Sequence, residues 1–330
     1  MVPRQNALIQ MLGLVEEIPL PLPRAQARRG RRQAYSPHLF VKAAIIMTTK
    51  RLHKVHELLS TLAEPTQAMQ SLREHLTLNG KMPSRRTFER RLAQLTQDLP
   101  ERIARLGALL VERLRPFAEA GRAVAIDSTV LRAKDGAVWH RKHKEAGEIP
   151  HTRIDTQAGW TKSGWHGWVY GWKLHLLYLS CTVGSLWIPL TARLTAADVH
   201  DGEVGPLLVA DLPESVRFAL GDQHYNGPSM QSACFQRGMN LVATRGGKYP
   251  HTDAGVEVRR MFHQLRSKAM ENFNEHFKAI FDSHADVPSK GRNATTRFAL
   301  SAVLVYQLGL WARHRLGLPL NQSPYAVGRW

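Results

Sequence analysis

The feature that most restricts the fold is a change of apolar period at Val124. Before it, apolar residues recur every three or four positions. After it, they come in short runs separated by polar or glycine-bearing breaks. The first spacing builds one face of a helix and the second builds strands, so an all-α front is expected to precede an α/β body with a sheet of mixed strand direction. In the front, Ser36 and Pro37 form an N-cap and first-turn pair, and Phe40, Val41, Ala44, Ile45 and Thr48 follow at helical spacing. A second helix carries Leu52, Val55, Leu58, Leu59 and Leu62 and stops at Pro65, and a third covers about 66–76. After a turn at 78–81, Ser84 is placed to cap a helix that turns Phe88, Leu92 and Leu95 inward and Arg85, Arg86 and Arg90 outward. A buried stripe under basic first turns is what a helix-turn-helix recognition helix requires; a merely solvated basic face is the alternative. A long helix at 101–114 bridges to the body. There, the runs 124–127, 170–179, 186–194, 216–220 and 240–244 read as strands. Helices are expected at 204–210, 228–237, 268–281 and 296–313.

Charge narrows the partners. Lys and Arg number 45 against 27 Asp and Glu in 330 residues, a formal charge of +18. A positive field of this size draws polyanions and releases their counterions, so nucleic acid is the expected partner. Arg24, Arg28, Arg29, Arg31 and Arg32 follow Pro19, Pro21 and Pro23, and residues 1–34 therefore read as a basic flexible arm. The remaining division is a helical DNA-binding domain at 35–118, a catalytic domain at 119–318 and a tail at 319–330. No apolar run approaches the roughly 18 residues that span a bilayer, so no membrane partner is expected. The start carries no secretion signal, and Cys181 and Cys234 form neither a disulfide framework nor a zinc motif. A cytoplasmic location fits both.

The chemistry-bearing residues are acids. Asp127 follows Ala125-Ile126 and Asp222 follows Ala219-Leu220-Gly221, so each is expected to close a strand. Strand ends in α/β sheets open into the ligand crevice. Two carboxylates meeting there repel unless one is protonated or a cation lies between them. Hard oxygen donors suit Mg²⁺ or Mn²⁺, and two such ions support phosphoryl transfer. A third acid is then needed. On a helix beginning near Lys268, Met270, Phe273, Phe277, Ile280 and Phe281 share one face, with Glu271 and Lys278 on the opposite side and nearly aligned. Taken alone, this is also the pattern of an ordinary amphipathic helix.

Five ordered motifs bring these acids together. Ala125-Ile126-Asp127-Ser128-Thr129, Tyr170-Gly171-Trp172-Lys173-Leu174-His175, Ala196-Ala197-Asp198-Val199-His200-Asp201, Leu220-Gly221-Asp222-Gln223-His224-Tyr225 and Ala269-Met270-Glu271-Asn272-Phe273 with Lys278 resemble bacterial insertion-sequence DDE transposases. The resemblance implies an RNase H-like catalytic domain. It makes Asp127, Asp222 and Glu271 the catalytic and metal-binding acids, holding two Mg²⁺ or Mn²⁺ ions per site. It also implies cleavage at the element's ends, attack of the freed 3′-hydroxyl on target DNA, and a homodimer that holds two double-stranded ends. One branch of the family carries Tyr-(2)-Arg-(3)-Glu-(6)-Lys around the third acid. Here Glu271 and Lys278 match, but Gln264 and Ser267 stand at the Tyr and Arg positions. Arg266 and Lys268 flank the absent arginine as replacement phosphate contacts, and Glu275 is a competing third acid.

Lys173 and His175 alternate along one strand and so share a side, which the resemblance turns toward the active site and DNA; a buried structural role is the alternative for His175. The tryptophans and basic run between Lys134 and Trp172 offer either a base-stacking loop or simple packing. Two further readings compete with a transposase. One is an RNase H-like structure-selective nuclease without strand transfer, and the other is a DNA-binding protein without catalysis.

Overall fold

The computed structural model describes residues 7–19, 34–114, 123–136, 145, 154–163, 167–181, 186–243, 256, 273–274, 277–278 and 286–320. Six helices form the front: α1 (Ala7–Leu14), α2 (Pro37–Thr49), α3 (Val55–Ala63), α4 (Gln67–Glu74), α5 (Arg85–Leu95) and α6 (Leu99–Arg113). Their starts follow the caps. Ser36 Oγ accepts from the His38 N–H with Pro37 in the first turn, Thr66 caps α4, and Ser84 Oγ accepts from the Thr87 N–H to open α5. The second helix begins at Val55 rather than Leu52 because the Glu57 carboxylate accepts from the His53 and Lys54 N–H groups and fixes the start there. Residues 64–66 join α3 to α4 in a short turn. The connection from α4 to α5 is longer and holds a small hairpin, with Leu78 and Lys81 bridged across Asn79 and Gly80, both at positive φ.

The body is one six-stranded sheet with helices on both faces. Its strands are β1 (Ala123–Arg132), β2 (Gly159–Ser163), β3 (Gly167–Cys181), β4 (Leu186–Ala196), β5 (Phe218–Gly221) and β6 (Asn240–Ala243). The order is β2-β3-β1-β5-β6, and β4 also pairs with β3. Strands β1, β2 and β4 run antiparallel to β3, while β5 runs parallel to β1 and β6 parallel to β5. Parallel neighbours need crossovers. The helix α7 (Asp201–Ala210) lies between β4 and β5, and α8 (Pro228–Gln236) between β5 and β6. A last helix, α9 (Arg292–Arg315), is buried along most of its length.

The front and the sheet share one core. Helix α6 packs on β4, and α9 packs on α1, α2, α5, α6 and β4. Gln307 of α9 fastens three elements at once: its buried Nε2 donates to the Ile103 carbonyl of α6 and the Pro189 carbonyl of β4, both at 2.8 Å. The approach of α6 to β4 is close enough to require Gly107, where an added Cβ would meet Leu190 Cα and the Pro189 carbonyl at 2.9 Å.

Residues 1–34 are not simply an arm. Leu8, Met11, Leu12, Val15 and Ile18 are buried, and α1 packs on α9. The apolar residues of 7–18 outweigh the basic character that dominates the stretch after them. Arg24 to Arg32 and the tail at 321–330 lie outside the described residues. No helix among the described residues is long and apolar enough to cross a membrane.

Because backbone atoms oppose Gly107, Gly107→Ala has no flexible neighbour to displace. It is expected to cost about 1–3 kcal/mol of stability, read as a lowered midpoint in urea unfolding with an unchanged slope.

Candidate functional site

The sheet register brings the first two acids together. Strand β1 pairs with β5 at Ala123–Phe218, Val124–Ala219 and Ala125–Leu220. Carried two residues further, that register sets Asp127 beside Asp222. Asp127 does not end its strand as expected: β1 keeps its ladder with β3 as far as Arg132–Gly171. It is β5 that stops, at Gly221. The crevice therefore opens where β1 loses its parallel neighbour, and Asp127 stands at that edge. Asp222 turns away from the sheet as the cap of a short 3-10 turn, its Oδ1 accepting from the His224 N–H at 2.8 Å. Both acids are half-buried.

A helical stretch reaches the same place. Residues 273–274 and 277–278 are helical, with Phe273 and Phe277 buried and Asn274 and Lys278 half-buried. Phe273 packs on Tyr178 of β3 at 4.5 Å between centroids and edge-on to Tyr306 of α9 at 4.8 Å. Asn274 Oδ1 accepts from the Tyr178 hydroxyl at 3.4 Å. Burial lowers the Lys278 ammonium from its ordinary range, and the negative charge of Asp127 opposes that shift. Lys278 and Asp127 are thus electrostatic neighbours. Glu271, Glu275, Arg266 and Lys268 lie outside the described residues.

Lys173 and His175 need correcting. They do share a side, as the alternation requires, but it is the other side of the sheet. Asp127 pairs with Leu176, whereas Ser128 pairs with His175 and Val130 with Lys173, and directly opposed residues project to the same face. His175 is fully buried. Its Nε2 lies 2.8 Å from Thr195 Oγ1 and its Nδ1 3.5 Å from Asp201 Oδ1. Lys173 Nζ donates to the Val199 carbonyl at 3.0 Å and sits 3.2 Å from the same Asp201 oxygen. Neither is open to a phosphate. They anchor the first turn of α7 to the sheet.

Asp201 and Tyr225 are the residues that sequence reasoning quoted in motifs but gave no role. Tyr225 is fully buried, and its phenol is held far above its ordinary range. Burial is the main cause, followed by the charges of Asp201, Asp127 and Asp222. One protonated phenol thus lies near three carboxylates. Gly205 and Gly221 make room for its ring, since a Cβ at either would stand 3.0–3.1 Å from a Tyr225 or Met230 atom.

Arg85, Arg86 and Arg90 of α5 are exposed and Phe88, Leu92 and Leu95 are buried, as the spacing requires. Arg85 pairs with Glu89 at 2.8 Å, both largely exposed. Among the interleaved tryptophans, Trp172 is fully buried and Trp160 packs on Tyr170, so both serve the core. Trp168 is 45% exposed. Trp139, Trp165 and the run 140–144 lie outside the described residues.

A mixed sheet with a carboxylate pair at the edge where its parallel half begins, faced by a lysine-bearing helix, defines a class of α/β proteins with an acidic crevice. The model of the transposase DDE domain matches residues 119–308, and the chain belongs to that family. Two solved structures are distant likenesses. The Mos1 transposase paired-end complex with left transposon end is 11% identical over 93% of this chain and 83% of that one, with a TM-score of 0.23. A pre-cleavage Mos1 transpososome is 11% identical over 100% and 99%, with a TM-score of 0.21. No curated protein matches the sequence.

Burial depresses the proton affinity of His175 to about 4 against the opposing charge of Asp201. Unfolded, the imidazole titrates near its ordinary 6.5. Between these values the unfolded chain binds the extra proton, so the stability that neutral His175 contributes is complete above about 6.5 and is lost as pH falls toward 4. Urea midpoints measured across that window should fall with pH in the wild type and fall less in His175→Gln.

Proposed function

We propose that the chain is a transposase that cuts DNA at the ends of a mobile element and joins them to a target, using Mg²⁺ or Mn²⁺ held by Asp127, Asp222 and Glu271. The observation that carries the reading is a half-buried Lys278 on a helical stretch near enough to Asp127 to feel its charge, in a chain that matches the transposase DDE domain. The strand order, with β4, β3 and β1 antiparallel and then β5 and β6 parallel to β1, supports an RNase H-like reading of the domain.

The donor set fits a hard divalent ion. Asp127 on β1 and Asp222, the residue after β5, would supply carboxylate oxygens, and a cation between them would relieve their repulsion. Among the described residues no group of three acids, histidines or cysteines could hold a metal, so the third ligand has to come from elsewhere. Glu271 is the residue for it. On a continuous helix, seven residues bring it within about 20° of Lys278 in projection, whereas Glu275 falls about 60° away. When bound, the ions stabilise the attacking and leaving oxygens of an in-line displacement.

The chain's own part is alignment and charge. Lys278 takes a phosphate oxygen near the cut, and Arg266 and Lys268 stand in for the arginine absent at Ser267. Arg85, Arg86 and Arg90 grip the duplex of the element's end from an exposed helix. Two ends must be held together for joining, which calls for a homodimer on DNA. Lys173 and His175, being enclosed, act only by holding α7 in place.

With Mg²⁺ and a duplex carrying the element's end, Asp127→Asn should abolish strand cleavage and leave binding within about twofold, because a neutral isostere keeps the packing. Glu271→Gln should do the same and Glu275→Gln should not. Normal cutting by Asp127→Asn would overturn the reading, and cleavage without joined products would favour the nuclease. Neutralising Arg85, Arg86 and Arg90 one at a time should weaken end binding and lower the salt slope by about one per contact. Unchanged affinity in all three would remove α5 from the interface.

A further inference from the structure

A notch lies where three chain segments from different parts of the fold meet. The turn between α2 and α3 brings Arg51 and His53. The residues leading into α9 bring Ser289, and the first turns of α9 bring Arg297 and Phe298. These segments are fixed to each other. Arg297 donates to the His53 carbonyl at 3.4 Å, and the His53 ring stands edge-on to Phe298. The strand end is tied in as well, since Val287 donates to the Arg132 carbonyl and Arg132 pairs with Asp286 at 3.1 Å. Lys134, two residues beyond that strand end, is close enough that its charge and that of Arg297 both disfavour a proton on His53, after burial as the leading cause.

Two cations, Lys134 and Arg297, act on His53 at the notch against one acid, Glu57. Arg297 is half-buried, and burial is the cause that lowers its proton affinity. Two acids at this junction are already engaged: Glu57 accepts from the His53 and Lys54 N–H groups, and Asp286 pairs with Arg132. Among the described residues, the buried Ser289 Oγ has no hydrogen-bond partner. Desolvated cations are costly unless an anion answers them, and a planar guanidinium with a hydroxyl beside it matches phosphate geometry.

We propose that this notch seats one backbone phosphate of bound DNA, with Arg297 as its principal donor, Ser289 as a neutral donor and Arg51 and Lys134 at its rim. The proposal rests on the transposase reading for the identity of the polyanion. Seven residues separate Asp127 from Lys134 along and just past β1, on the order of 20 Å. That places the seated phosphate about six base pairs from the cut. The turn between α2 and α3 then serves a purpose that the basic face of α5 does not, because it reads the position of the backbone where the helical front meets the sheet.

The test uses the full-length chain and a duplex carrying the element's end, with affinity measured by fluorescence anisotropy over a range of salt. Arg297→Gln should weaken binding about tenfold and lower the log–log salt slope by about 0.9. Lys134→Gln, at the rim and free of core packing, should give a smaller loss with a similar change of slope, and it keeps the proposal testable if Arg297→Gln fails to fold. A single uncharged methylphosphonate about six base pairs from the cut should weaken the wild type and leave Arg297→Gln unaffected. Unchanged affinity and slope in both variants, with wild-type melting, would overturn the proposal. So would a rise in melting temperature with inorganic phosphate that Arg297→Gln abolishes while duplex binding is unaltered, since the notch would then hold free phosphate. Strand cleavage by the wild type is followed in parallel. Cutting with unaltered variant binding sinks only the notch, and notch-dependent binding without cutting sinks only the strand-transfer reading.

Discussion

Everything at the site depends on the unequal length of two neighbouring strands. Strand β1 is bonded on its β3 side from Val124 to Arg132, but β5 accompanies it only over its first three residues. The sheet thereby changes from three-strand continuity to an open edge in the middle of β1. A carboxylate at that point has backbone support on one side and solvent-accessible space on the other. Asp222, the first residue past β5, falls beside it for the same reason. Gly221 ends the strand against the Tyr225 ring, and the 3-10 turn capped by Asp222 redirects the chain at once.

A second layer of polar groups lies behind the acids. Asp201 joins Lys173, His175 and the first turn of α7, while Tyr225 lies near Asp201, Asp127 and Asp222 together. Such a cluster in a low-dielectric setting is costly unless each charge is answered. Here a lysine answers one aspartate, and a neutral imidazole and a protonated phenol fill the space between. The arrangement holds the start of α7 rigidly to β3 without adding net charge beside the crevice.

Much of this was legible in the sequence, and the misses have physical causes. Caps that act within one turn, at Ser36 and Ser84, and the buried stripe of α5 could be read because they depend on near neighbours. Strand β1 was read short because Asp127 and Ser128 are polar, and only pairing with β3, fifty residues away, keeps them extended. The burial of 7–18 was hidden because its partner, α9, lies at the far end of the chain. The side of the sheet taken by Lys173 and His175 cannot come from alternation alone. Period two says that they agree with each other, and only the register with β1 says that they disagree with Asp127. The third acid was named from spacing to Lys278, and what the fold adds is the place of Lys278 next to Asp127.

The long helix α9 touches both the recognition-like helix of the front and the strand layer behind the acids, with Gln307 bonded to two backbone carbonyls from different parts of the chain. A molecule built this way behaves as a ruler rather than a tether. Under the proposed reading, a duplex resting against the α5 arginines sits at a set offset from the carboxylate pair, and any bending required to bring a strand into register falls on the nucleic acid instead of on a hinge in the polypeptide.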